Sequence, residues 1–141
     1  MRARPNVVLA TITGLVIVLA VVAAVLTLGR QPPELDQATP EGTVQLFVIA
    51  VIDRDDEAAV GYLHPDLECQ APLRNSYRPS SIQMTVVSSE TTGDAATVVV
   101  EVTEQQGGPF NSWSHREVFD LVRAGSGWLI TGNPWPIYSC K

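Results

Sequence analysis

The sequence predicts an α+β fold in which helices pack on a four-stranded antiparallel sheet, preceded by a transmembrane helix. Three observations lead to this prediction. A long uncharged apolar stretch comes first, helix-like periodicity follows it, and four segments with strand-like alternation come last. Helices followed by a run of strands joined through short turns are typical of α+β proteins with antiparallel sheets.

The length and the charge of the chain limit its class. A chain of 141 residues fits one domain with terminal additions. All 15 acidic residues lie from Glu34 onwards, and the formal net charge is −6. An acidic surface repels phosphate backbones, so we expect no nucleic-acid partner.

Residues 7–28 carry no charge and consist mainly of Val, Leu, Ile and Ala. As a helix they would span roughly 33 Å, enough for a hydrocarbon core of about 30 Å. Arg2 and Arg4 precede the stretch, so the positive-inside rule predicts a single-pass signal anchor with a cytoplasmic N-terminus and an extracytoplasmic C-terminal domain. The partner of this helix would be the lipid bilayer. A cleaved signal peptide stays open as the alternative.

The predicted anchor sets the domain organisation. The predicted parts are a cytoplasmic N-terminus at 1–6, a transmembrane helix at 7–28, a Pro-rich stalk at 29–38 and an extracytoplasmic domain at 39–141. Small residues spaced four apart in the apolar stretch are compatible with helix pairing, so a homodimer stays open.

Two helices are expected at the start of the domain. Thr39 is suited to the N-cap and Pro40 to the first helical position. The following apolar stripe has the spacing of one helix face and consists of Val44, Phe47, Val48 and Val51. Asp55 or Asp56 can cap a second, shorter helix that Pro65 ends.

Four strands follow an irregular segment. Residues 82–87 and 97–103 alternate in polarity around a turn at 93–94, which predicts a hairpin. Residues 116–123 and 128–131 predict a second pair of strands, joined by a Gly-rich turn.

The chain resembles the nuclear transport factor 2-like (cystatin-like) superfamily, in a bacterial membrane-anchored form. The resemblance rests on the leading helix at 39–52, the segment Tyr62-Leu63-His64-Pro65-Asp66-Leu67 and the final Gly127-Trp128-Leu129-Ile130 strand. It covers about residues 39–138. It implies a curved four-stranded sheet wrapped around the long helix as a cone, whose cavity holds a substrate, a ligand or only side chains.

Candidates for acid–base chemistry are Tyr62, His64 and Asp66, since an imidazole and a carboxylate two residues apart can form an acid–base pair. The alternative is that His64 ends a helix and begins a turn. His115 is expected at an exposed strand edge. Glu101 is expected on the outward face of its strand or at an edge, because it alternates with the valines at positions 98, 100 and 102.

No cofactor or metal is expected. The acidic cluster at 53–57 lacks the spacing of a calcium-binding loop, so its carboxylates are predicted to cap the second helix. No paired-ligand spacing for zinc occurs, and neither a nucleophile-elbow nor a phosphate-binding glycine motif is present.

Cys69 and Cys140 are the two cysteines of the chain. Both follow the predicted anchor, in a compartment where disulfides persist, so we predict a disulfide between them. It would hold the C-terminal segment on the helical end of the domain.

These observations together lead us to expect a membrane-anchored extracytoplasmic binding or interaction module that is not an enzyme. Its partner would be a small apolar ligand or an envelope protein. One alternative is a small isomerase or dehydratase that acts on an apolar substrate in the cone cavity. The other is an assembly subunit of an envelope secretion or transport complex.

Overall fold

A computed structural model describes residues 12–20, 35–105 and 111–140. The chain divides into two units, Met1–Glu34 and Leu35–Lys141, which are described separately.

In the first unit, residues 12–20 are helical and their large apolar side chains are exposed. Within the described residues, no helix is long and apolar enough to cross a membrane. The prediction of a single-pass signal anchor at 7–28 is therefore wrong. The predicted single-pass membrane localisation is contradicted with it, and the predicted cytoplasmic N-terminus and extracytoplasmic domain lose their basis.

Several sequence predictions on this part of the chain lie outside the described residues. They are the assignment of residues 1–6, the two ends of the apolar stretch and most of the stalk at 29–38. The lipid bilayer was expected as a partner only through the anchor helix, so that expectation loses its basis.

The second unit begins with helix α1, Pro40–Ile52. The predicted cap is confirmed, because the Thr39 hydroxyl accepts a 3.1 Å hydrogen bond from the backbone N–H of Gly42. Gly42 lies so close to the Asp36 carbonyl that a Cβ atom at this position would clash with it. The four residues of the predicted apolar stripe are completely buried.

Helix α2, Asp56–Gly61, is shorter than predicted. Asp55 caps its N-terminus. The helix ends at Gly61, before Pro65, because the residues that follow it form backbone hydrogen bonds with a strand of the sheet. The backbone N–H of His64 donates to the Ile130 carbonyl at 2.8 Å, and the Ile130 N–H donates to the Tyr62 carbonyl at 2.9 Å. A short 3₁₀ helix, Pro65–Leu67, follows.

Six strands follow in the described part of the chain, and the longest four form one antiparallel sheet. The strands are β1 (Asn75–Ser76), β2 (Ile82–Thr92), β3 (Ala95–Gln105), β4 (Ser112–Ala124), β5 (Gly127–Thr131) and β6 (Ile137–Ser139). The main sheet has the order β2-β3-β4-β5, which confirms the predicted α+β class and the four antiparallel strands. β1 and β6 pair in a separate two-stranded sheet that the sequence analysis did not predict.

The hydrophobic core lies between α1 and one face of the main sheet, which we call the inner face. β3 contributes Val98, Val100 and Val102, and β4 contributes Phe119, whose ring meets that of Phe47 edge to face at 6.3 Å between centroids. Alternate residues of each strand therefore point to the core, as the period of two requires.

The C-terminal segment is fastened to the segment that precedes β2. The predicted cysteine pair lies at disulfide distance, and the structure joins Cys69 to Cys140 with their Cα atoms 4.6 Å apart. The pairing of β1 with β6 continues into a 2.8 Å hydrogen bond from the Tyr77 N–H to the Pro136 carbonyl. These links place Tyr77 beside the chain that carries Trp135 and Ile137.

Candidate functional site

A carboxylate ends the apolar row on the inner face of β3. The alternation that buries Val98, Val100 and Val102 continues to Glu104, which is only 2% exposed. A buried carboxylate loses its hydration and needs hydrogen bonds or an opposite charge in return. The surroundings of Glu104 therefore define a candidate site.

Tyr77 satisfies one oxygen of this carboxylate. Its hydroxyl donates a 2.6 Å hydrogen bond to Oε2 of Glu104, within the short range typical of a bond to an ionised acceptor. The other oxygen, Oε1, is buried and has no hydrogen-bond partner among the described residues. Half of the carboxylate is thus held in place while the other half lacks a donor.

His115 faces this second oxygen from the neighbouring strand. In the register of β3 and β4, His115 lies opposite Val102, and Trp113 lies opposite Glu104. Glu104 and His115 are therefore diagonal neighbours on the inner face. Nε2 of His115 lies 4.0 Å from Oε1 of Glu104 and 3.3 Å from Oε1 of Glu117.

Because Nε2 faces two carboxylates, we assign the proton of the neutral imidazole to Nε2. Nδ1 is then a hydrogen-bond acceptor. It is buried and has no hydrogen-bond partner within the described parts of the chain.

Aromatic rings enclose the imidazole of His115. The Trp113 ring stacks on it with 4.3 Å between centroids and an interplanar angle of 23°. Trp135 meets it edge to face at 5.6 Å. Trp135 is buried, whereas Trp113 remains 58% exposed, which is unusual for so large an aromatic side chain.

These side chains surround an open cavity of about 440 Å³, which we call the Glu104 cleft. The lining consists of Tyr77, Glu104, Trp113, His115, Glu117, Asn133, Trp135 and Ile137. The volume lies in the range of small-molecule sites, and aromatic walls with a few polar groups are typical of such sites.

The sequence-predicted acid–base candidates do not line this cleft. His64 borders a separate cavity of about 620 Å³, next to Cys69. Nδ1 of His64 accepts a hydrogen bond from the Asp66 N–H at 3.3 Å and caps the 3₁₀ helix. The Asp66 side chain is almost fully exposed, and Tyr62 meets β5 through backbone atoms. The structure therefore gives His64 the turn geometry that was the alternative to acid–base chemistry.

The acidic cluster at 53–57 makes structural contacts. Asp55 caps α2, while Asp56 accepts hydrogen bonds from the Leu73 N–H at 2.9 Å and from Arg78 at 2.6 Å. In the parts of the chain that the structure describes, no three His, Cys, Asp or Glu side chains are grouped so that they could hold a metal ion.

Sequence reasoning missed Glu104 and misplaced His115. The expectation that His115 is exposed is wrong, because its side chain lies between Trp113 and Trp135 and is only 13% exposed. Its position at an edge of the sheet is consistent with the register, since β4 pairs with β3 at His115 and β5 pairs only with residues 120–124. A signal was present, since the alternation of β3 predicts that Glu104 occupies a core position. The outward position of Glu101 is confirmed by its contact with Arg116 at 3.9 Å.

Comparisons with known proteins add a fold likeness only. No protein-family model matches the chain, and no curated protein matches it. It is similar to the solution structure of a SEC-C motif containing protein from Rhodopseudomonas palustris, with 18% identity and a TM-score of 0.50 over 69% of this chain and 78% of that one. The resemblance to the nuclear transport factor 2-like superfamily stays a prediction.

Proposed function

We propose that the domain binds a small organic molecule in the Glu104 cleft. The observation that carries the proposal is the half-satisfied carboxylate of Glu104, buried at 2% exposure beside an open cavity. A buried acceptor without a donor costs about 1–3 kcal/mol. A ligand that supplies the donor recovers this free energy.

The cleft favours a ligand with both an aromatic or apolar body and a polar group. A purely apolar ligand, as the sequence led us to expect, would remove water from Glu117 and His115 without replacing its hydrogen bonds. Trp113 and Trp135 supply the surface for the apolar body. Binding to another protein stays a prediction, and its placement in an envelope depended on the anchor helix.

An acid–base enzyme such as an isomerase or dehydratase is the second candidate. It is favoured by one specific observation, the presence of a carboxylate, an imidazole and a tyrosine hydroxyl around a single cavity. In that case Glu104 would take a proton from the substrate, Tyr77 would hold the carboxylate in place, and His115 would be the second proton carrier. Binding is common to both candidates and is therefore tested first.

The test is a nuclear magnetic resonance titration of the ¹⁵N-labelled full chain with small aromatic fragments of cationic, neutral and anionic types. The three tryptophans provide the readout through their indole N–H signals. Trp113 and Trp135 line the cleft, whereas Trp128 is buried in the core and serves as the internal control.

We expect fragments that bind to shift the signals of Trp113 and Trp135 and to leave that of Trp128 in place. Shifts confined to another cavity, such as the groove between α1 and β2 at Ile49 and Met84, would contradict the proposal. So would the absence of any binding fragment.

A further inference from the structure

We infer that the ligand of the Glu104 cleft is an organic cation with N–H donors, such as an amidinium, guanidinium or primary ammonium group on a small flat apolar body. This inference rests on the proposed binding function and specifies its ligand class. Three features of the cleft carry it: its charge, its excess of acceptors and its exposed aromatic face.

The lining of the cleft carries a net negative charge when Glu104 and Glu117 are ionised, whether His115 is neutral or cationic. Glu104 and Glu117 contribute two negative charges and His115 at most one positive charge, so at least one negative charge remains. No Lys or Arg side chain borders the cleft among the described residues.

Two arginines next to cleft residues in sequence are bound elsewhere. Arg78, next to Tyr77 in sequence, pairs with Asp56 at 2.6 Å. Arg116, next to His115, lies on the opposite face of the sheet and contacts Glu101. Neither arginine neutralises Glu104 or Glu117. The carboxylates of the cleft are therefore available to a cationic ligand.

The cleft also has more hydrogen-bond acceptors than donors. The ionised carboxylates accept only, and Nδ1 of a neutral His115 with its proton on Nε2 is a further acceptor. Glu117 is the carboxylate that a ligand meets first, because its side chain is 30% exposed. Oε1 of Glu104 is buried, and its charge adds to that of Glu117 at the same cleft.

The exposed indole of Trp113 gives the cation a second kind of contact. A cation within about 6 Å of an indole face is attracted by the negative face of the ring quadrupole. The protein already uses this contact elsewhere, where the Arg123 guanidinium lies 4.4 Å from the Trp128 ring centre. A planar cation can stack on Trp113 and direct its N–H groups at Glu117.

The test uses three isosteric probes that differ in charge: benzamidine, which is a cation at neutral pH, neutral benzamide and anionic benzoate. Each is titrated into the full chain by calorimetry and by following the Trp113 indole N–H signal. We expect benzamidine to bind at least tenfold more tightly than either of the other probes, since hydrogen bonds to charged groups exceed neutral ones by about this factor.

Variants locate the site. Glu117→Gln and Glu104→Gln should each weaken benzamidine binding about tenfold, and Trp113→Leu should weaken it about two- to fivefold. The matched control is Glu101→Gln. It makes the same change on β3, the strand that carries Glu104, but on the outer face, and it should leave binding unchanged. The indole signal of Trp128 reports whether each variant keeps its core.

The failures are distinguishable. Equal binding of the three probes in the cleft would overturn the cationic ligand class and leave the binding function standing. Benzamidine binding that Glu101→Gln weakens as much as Glu117→Gln would show attraction to the acidic surface alone and would also overturn it. If benzamidine does not bind but neutral or anionic fragments do, only this inference fails. If no fragment of any charge binds, both proposals fail.

Discussion

The hydroxyl of Tyr77 and the carboxylate of Glu104 are joined by a 2.6 Å hydrogen bond across 27 positions of the sequence. The bond links the chain before β2 to the buried end of β3. It therefore stabilises both the fold and the floor of the Glu104 cleft.

Tyr77→Phe removes only the hydroxyl that donates to Glu104. The buried carboxylate then loses this hydrogen bond. We expect the free energy of unfolding to fall by about 1–3 kcal/mol, measured by urea denaturation. Tyr62→Phe is the matched control, because the Tyr62 side chain also packs on the core and the hydrogen bonds described for this residue are made by its backbone. Equal losses for the two variants would show that the bond to Glu104 contributes nothing specific.

The second prediction concerns the buried face of α1. Val48 is completely buried, so Val48→Asp would place an unpaired charge against the sheet and should cost at least about 3 kcal/mol. Ile49→Asp, one position along the same helix, introduces the same charge at a side chain that is 44% exposed, and should cost about 1 kcal/mol or less. Circular dichroism during urea unfolding measures both. A Val48→Asp protein that loses no more stability than Ile49→Asp would contradict the packing of α1.

The success of sequence reasoning on α1 and on the two hairpins has a local cause. The Thr39 cap and the stripe through Val48 lie within one helix, and the alternation of β3 is complete within one strand. Patterns of this kind need no knowledge of distant residues.

The cleft could not be predicted in the same way, because its residues meet through long-range pairing. Tyr77 lies in an irregular segment, and its neighbour β6 has three residues, too few to show a period. β4 starts four residues earlier than the predicted strand at Arg116, so Trp113 and His115 belong to it, and His115 is covered by Trp135, which is distant in sequence. Only the position of Glu104 was available from alternation.

Asp56 is the subject of the third prediction. Its carboxylate joins α2 to the segment before β2 through Leu73 and Arg78, and both charged side chains are largely shielded from water. Asp56→Asn keeps the shape but loses the ion pair, and should lower the free energy of unfolding by about 1–3 kcal/mol. Glu57→Gln removes a charge from the same helical turn at an exposed position, so it controls for the helix dipole. A loss of the same size in both variants would assign the effect to the dipole.

The last prediction concerns the disulfide between Cys69 and Cys140. The two cysteines are 71 positions apart, and in the chain-entropy account a bridge that closes a loop of this length stabilises the fold by about 4 kcal/mol. Replacing both cysteines by serine should lower the free energy of unfolding by up to this amount, measured by urea denaturation without reductant. Reductant should reproduce the loss in the unmodified chain and have no effect on the variant, because the chain contains only these two cysteines. The bridge also anchors the segment that carries Trp135 and Ile137, so the variant should bind benzamidine more weakly even where it remains folded. Two alkylated thiols in the non-reduced protein, or a variant as stable as the unmodified chain, would show that the bridge does not hold this wall of the cleft.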